Sequence, residues 1–206
     1  MSETTHRSLR LALASLLLAA LVSRLFIVMS RGEMAPVELL GSFTVLVNTL
    51  AAVMLLALAI RPAFDDSTRF TSFRGAVTVY MAVTALLFAA QLTFPGIIPD
   101  VTEPWVDWTL RLIAPLAVVA DWLIHPPTAA IAATATMIWT LPPVLYLGFT
   151  LVRGALTDDY TYSFLDPRET GGHVSVAIWS GTAVIVILGI SLAFRWWSAR
   201  HNQKTE

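Results

Sequence analysis

The sequence predicts an all-α polytopic membrane domain of six transmembrane helices with both termini on the cytoplasmic side. Three observations carry that prediction. Of the 206 residues, 56% are hydrophobic and only 13% charged, about half the charged share that a soluble domain carries; mean hydropathy is +0.71. Six apolar stretches reach roughly the 20 residues that a helix needs to cross the hydrocarbon. Basic residues are also unevenly shared between the two sides of such a bundle.

The first stretch, about residues 8–30, follows Arg7 and Arg10. Its apolar run continues to Met29 with no small-residue cleavage site after it, so it reads as a retained helix rather than a signal peptide. The second, about 38–60, stops at Arg61-Pro62, and the third, about 75–94, at Pro95-Gly96. The fourth, about 105–125, ends at Pro126-Pro127, and the fifth follows over about 128–152. Gly171-Gly172 precedes the sixth, about 173–197. With connections this short and no internal repeat, residues 1–206 make one domain.

Orientation follows from the loops. With the N-terminus inside, the inner side holds Arg7, Arg10, Arg61, Arg69, Arg74, Arg195, Arg200 and Lys204. The outer side holds Arg31, Arg153 and Arg168. That bias places both termini in the cytoplasm. Trp105 and Trp108 then fall at the outer interface, and Trp122, Trp196 and Trp197 near the inner one, where indoles anchor helices in headgroups.

Several functions are excluded. A net charge of −1 gives no basic footprint for nucleic acid, and the absence of cysteine removes thiolate metal sites and thiol catalysis. His6, His125, His173 and His201 all lie outside the deep parts of the predicted helices, so paired-histidine haem ligation fails. Lys204, in the tail, is the sole lysine and cannot form a retinal Schiff base inside the bundle. Neither a zinc-protease motif nor a Gly-x-Ser-x-Gly elbow occurs, and no metal or cofactor is expected. Asp121 is the one acid inside a span, which is thin for an ion-coupled transporter. It stands i, i+4 from His125, a spacing that suits interfacial capping or pairing. Twelve arginines against one lysine suggest a GC-rich bacterial genome, and hence the bacterial plasma membrane.

The polar residues within the helices fall into a layer. Arg24, Thr44, Arg111, Tyr146 and Ser180 each lie six or seven residues from the outer end of their helix, with Gln91 slightly shallower. At about 1.5 Å per residue they share a depth of roughly 5–10 Å below the outer interface. Asn48 is one turn deeper than Thr44 on the same face of its helix. Either arginine alone can snorkel, and Asp107 is placed to pair with Arg111 at i, i+4. Two at one depth favour a shared cavity for an amphiphile with an anionic head and an acyl tail. Pro115 and Pro142-Pro143 free the carbonyls of Arg111, Ile138 and Trp139 around that layer. The Tyr160–Asp166 segment is expected to fold over the outer mouth, where its aromatic rings find apolar cover.

Local patterns line up in order: Ser42-Phe43-Thr44-Val45-Leu46-Val47-Asn48, Pro115 followed by Asp121-Trp122-Leu123, and Trp139-Thr140-Leu141-Pro142-Pro143 with Tyr146. Leu151-Val152-Arg153-Gly154 and the loop Tyr160-Thr161-Tyr162-Ser163-Phe164-Leu165-Asp166-Pro167 complete them. Along its whole length the chain resembles the bacterial six-helix membrane family known as Pr6Pr, related to the FAR-17a and androgen-induced-protein group of animals. The resemblance implies six helices with both termini cytoplasmic. Animal relatives are intramembrane hydrolases of fatty acid esters of hydroxy fatty acids, with a threonine nucleophile and a histidine. The threonine position matches Thr44. Where bacterial members often read Leu-His-x-x-x-Pro, this chain reads Leu110-Arg111-Leu112-Ile113-Ala114-Pro115.

That departure matters. A threonine hydroxyl needs a base, and a guanidinium cannot accept its proton. Arg111 is left to contact a carboxylate or an oxyanion, with His173 as the remaining base. Three readings follow. The first is a lipid-binding or lipid-ester-cleaving protein, with Thr44, Arg111 and His173 as its chemistry and Arg24, Asn48, Gln91, Tyr146 and Ser180 lining the ligand. The second is a non-catalytic accessory subunit of a larger membrane complex. A transporter is the third.

Overall fold

A computed structural model describes residues 3–32, 42–93, 103–127 and 131–202. The described residues are helical and contain no strand. The main helices are α1 (Glu3–Arg31), α2 (Phe43–Ile60), α3 (Thr68–Thr93), α5 (Ala135–Thr157) and α6 (His173–Asn202), all long and apolar enough to cross a membrane. Between α3 and α5 lies a segmented helix, α4: Pro104–Trp108, a π-helical stretch Thr109–Ile113, then Ala114–Ile124. The described residues therefore hold five continuous helices long and apolar enough to span a membrane, with the segmented α4 between the third and fourth of them.

The helices alternate in direction. One end of the bundle, the terminal end, gathers the start of α1 with the end of α2, where the Arg7 Nε donates to Ala59 O at 2.9 Å. There too the Arg74 Nη2 of α3 donates to His125 O after α4 at 2.7 Å. At the opposite, loop end the Phe43 N–H donates to Tyr146 Oη at 3.0 Å, and Arg31 pairs with Glu103 at 2.8 Å. In the most apolar stretch of α3, 61% of residues are buried, against 17% in α6. So α3 is the central helix, and α6 shows most of its surface to the surroundings. An apolar exterior of this kind is what a bilayer covers.

Local sequence explains most boundaries. Ser42 caps α2 by accepting the Val45 N–H. Pro62 opens a 3-10 turn, Pro62–Asp66, that ends α2 and hands the chain to α3. Helix α3 starts seven residues before the apolar run at Gly75, because Thr71 and Arg74 bury there through polar contacts that hydropathy does not register. Residues 131–134 are not helical, so α5 begins later than expected and continues to Thr157. An alanine-rich run offers hydropathy no mark of a helix start. Contact supplies it, since the Trp139 Nε1 donates to Ser72 O at 2.8 Å. Residues 38–41, 94 and 128–130 of the expected spans, and the Pro95-Gly96 break, lie outside the described residues.

Pro115 acts differently from the simple expectation. In the π-helical stretch the Ala114 N–H donates to Thr109 O, five residues back. The next bond in that pattern would join residue 115 to Leu110 O, and proline has no N–H to give. Asn48 fills the gap: its Nδ2 donates to Leu110 O at 2.9 Å, and to Thr44 O at 2.8 Å. This amide therefore joins α2 to α4, as polar residues commonly join helices in membranes.

Trp122 corrects the interfacial reading. It is fully buried, edge-on to Trp139 at 6.0 Å and to Phe194 at 6.3 Å. The guanidinium of Arg74 sits 5.3 Å from its ring centroid. Helix α4 turns this indole inward, whereas Trp105, Trp108 and Trp196 stay exposed.

Candidate functional site

At the loop end a cavity of about 490 Å³ opens between α3, α5 and α6. That volume is within the range of small-molecule sites, roughly 300–1,000 Å³. Val83 and Leu87 from α3, Pro143 and Leu147 from α5, and Val186 and Ile187 from α6 form its apolar walls. An arc of aromatic rings adds Phe43, Tyr146, Tyr162, Phe164 and Trp179. The rings form two groups, Phe43 and Tyr146 with centroids 5.2 Å apart, and Tyr162, Phe164 and Trp179 with neighbouring centroids 5.4 and 6.4 Å apart. Ser163, Thr170, Thr182 and Glu169 bring polar atoms.

The connection between α5 and α6 folds back across this cavity. Asp158, at φ 57°, ends α5 in the left-handed conformation. Tyr160 then packs on Gly154, where a Cβ would overlap its ring, and Leu165 is fully buried. Asp166 accepts from the Arg168 Nη2 at 2.7 Å and from the Arg168 N–H at 2.8 Å. The Arg168 guanidinium holds its carboxyl below the usual carboxylate range. Burial pushes the Tyr162 hydroxyl well above the ordinary tyrosine value.

The residues singled out from the sequence divide into groups. Arg24 and Arg111 face inward, their side chains 12% and 7% exposed. They meet at Asp107: Arg24 Nη1 and Arg111 Nε each lie 3.7 Å from Asp107 Oδ1. Tyr146 borders the cavity, and Arg111 is near enough to Tyr162 to act on its hydroxyl electrostatically. Arg24, Thr44, Asn48, Gln91, Arg111 and Ser180 are not among the lining side chains. Thr44 and Gln91 are half-buried. Ser180 Oγ is buried with no hydrogen-bond partner among the described residues. His173 is exposed at the first residue of α6. Among the described residues, no hydrogen bond joins the Thr44 hydroxyl to a histidine or a carboxylate.

No family model, curated protein or solved structure matches this chain.

A second polar cluster occupies the terminal end. Asp121, its side chain 11% exposed, accepts from the Arg10 Nε and Nη2, both at 3.1 Å, and from the Arg74 Nη2 at 3.0 Å. His6 Nε2 is 2.7 Å from Asp121 Oδ1; an ionised carboxylate only accepts, so this nitrogen carries the proton. Arg74 also donates to Asp65 Oδ1 at 2.7 Å. His125 does not pair with Asp121 through its side chain but stacks on His6, centroids 3.6 Å apart. The ligand atoms of His6, Asp121 and His125 lie within 4.8 Å of one another. A divalent cation placed there would have to displace two guanidinium groups already on the carboxylate. The cluster is accordingly an ionic clasp between α1, α3 and α4.

Sequence reasoning named Asp121 but missed His6, Arg10, Asp65 and Arg74 as its surroundings. A signal was present: an acid inside an apolar span needs bases, and Arg10 and Arg74 were placed on the inner side, the same end as Asp121.

Proposed function

We propose that this chain is a bacterial plasma-membrane protein of six spanning helices with both termini cytoplasmic, which holds the tail of a lipid-like amphiphile in the loop-end cavity. The observation that carries the reading is the cavity itself: an apolar chamber roofed by the 158–172 connection, with hydroxyl groups near its rings. The resemblance to the Pr6Pr group supports the helix count, and the loop charges support the orientation. Binding is favoured over cleavage. Thr44 is outside the lining, Arg111 cannot serve as a base, and the side chain at the family's histidine position is ion-paired to Asp107.

Orientation has a direct test, because the chain has no cysteine of its own. An impermeant thiol reagent should label His173→Cys in intact cells and leave Arg69→Cys unlabelled until the cells are opened. The reverse pattern overturns the topology.

For the cavity, a photoreactive dodecanol should label α5 or α6 of the purified protein. Ala183→Trp, which fills the chamber, should abolish labelling, and Thr44→Ala should not. Labelling that survives Ala183→Trp puts the ligand elsewhere. Acyl-ester turnover by the wild type that disappears in Thr44→Ala would make the protein a hydrolase instead. Absent labelling together with co-purification in a larger complex would favour the accessory-subunit reading.

A further inference from the structure

Resting on the amphiphile reading, we infer that the head this cavity takes is cationic, a single-chain alkylammonium, rather than the anionic head that the arginine layer suggests. Three observations lead there. The first is the ring arc of Phe43, Tyr146, Tyr162, Phe164 and Trp179. Aromatic faces carry negative quadrupole charge, and rings gathered around a pocket are the usual receptor for quaternary ammonium groups.

The second is the charge of the lining. Glu169 is the one charged side chain among the lining residues, and no basic side chain joins it there. The third is the state of the neighbouring cations. Arg168 is bound to Asp166 at 2.7 Å, Arg153 to Asp159 at 2.9 Å and Arg31 to Glu103 at 2.8 Å. Arg24 and Arg111 share Asp107. Each of these guanidinium groups lies against an acid, Arg24 and Arg111 with one carboxylate between them, whereas the exposed Glu169 carboxylate at the edge of the cavity makes no ion pair or side-chain hydrogen bond among the described residues. A carboxylate or phosphate head would meet Glu169 with like charge and find no arginine among the described lining residues, since Arg111, which acts on the Tyr162 hydroxyl, already lies against Asp107. An ammonium head would meet rings and a carboxylate. The tail would run along Val83, Val186 and Ile187, away from the mouth.

The test compares dodecyltrimethylammonium, dodecanol and dodecanoate on purified full-length protein, each displacing the photoreactive dodecanol at one detergent concentration. The tails are alike, so differences report the head. The ammonium compound should bind roughly tenfold more tightly than dodecanoate, the combined scale of a partly exposed cation–π contact and of the opposite charges the two heads present to Glu169. Glu169→Gln should remove most of that preference and leave dodecanol unchanged. Tighter binding of dodecanoate, lost in Ala183→Trp, would overturn the cationic head while leaving the cavity reading intact. An ammonium preference indifferent to Glu169→Gln would overturn the role of Glu169. If no probe distinguishes the wild type from Ala183→Trp, the cavity reading itself fails.

Discussion

Replacing Asp121 with asparagine is expected to cost roughly 3–5 kcal/mol of stability, the scale for breaking a buried charge cluster. The side chains of Arg10 and Arg74 are only 6% and 1% exposed. Without the carboxylate, both guanidinium groups stay desolvated, and Arg74 keeps only Asp65 and two backbone carbonyls. Thermal unfolding of detergent-purified protein, followed through near-ultraviolet tryptophan signals, measures the loss. Trp122 reports it locally, because Arg74 lies over its ring. Adding Arg10→Met should recover part of the lost stability, since it removes one of the two guanidinium groups left to share Asp65. An unchanged melting curve for the single variant, with no gain in the double, would mean that the clasp contributes nothing.

Trp139→Ala should be comparably damaging, at about 3 kcal/mol or more. Trp139 is fully buried, and its Nε1 satisfies Ser72 O. In a bilayer the cost comes from lost dispersion contacts and one lost hydrogen bond between helices rather than from transfer out of water. The partner of this ring is Gly75. A Cβ at that position would overlap the six-membered ring of the indole, so Gly75→Ala should cost about 1–3 kcal/mol by overpacking. Gly75→Ala combined with Trp139→Leu should be less damaging than the sum of the two single changes, because they meet at one contact. Strict additivity would show that the glycine and the indole act independently.

The loop-end cavity was partly legible before any coordinates. The apolar runs place α3, α5 and α6, and the aromatic Tyr160–Asp166 segment has few other places to bury its rings. Its polar content was harder to read. Equal depth put Thr44, Arg111, Tyr146 and Ser180 in one layer, but depth says nothing of the direction in which a side chain leaves its helix. Only rotation separates Tyr146, which borders the cavity, from Ser180 and Thr44, which do not.

The all-α class, five of the apolar helices and several of the breaks between them were readable from residues alone. Each depends on a local sum, the transfer of about 20 neighbouring side chains into hydrocarbon, which needs no knowledge of the rest of the chain. The contacts that organise the bundle are of another kind. Asp121 meets His6 across 115 positions and Arg10 across 111, and Asn48 reaches Leu110 across 62. In lipid every apolar face is nearly equivalent to every other, so hydropathy cannot say which helix a given face will meet. The docked bundle decided that Trp122 is core rather than anchor. It also decided that Arg24 and Arg111 share Asp107, and that Asn48 serves the carbonyl left open by Pro115. A buried charge or carbonyl is tolerated only where a partner stands opposite, and that partner exists only once the helices have packed.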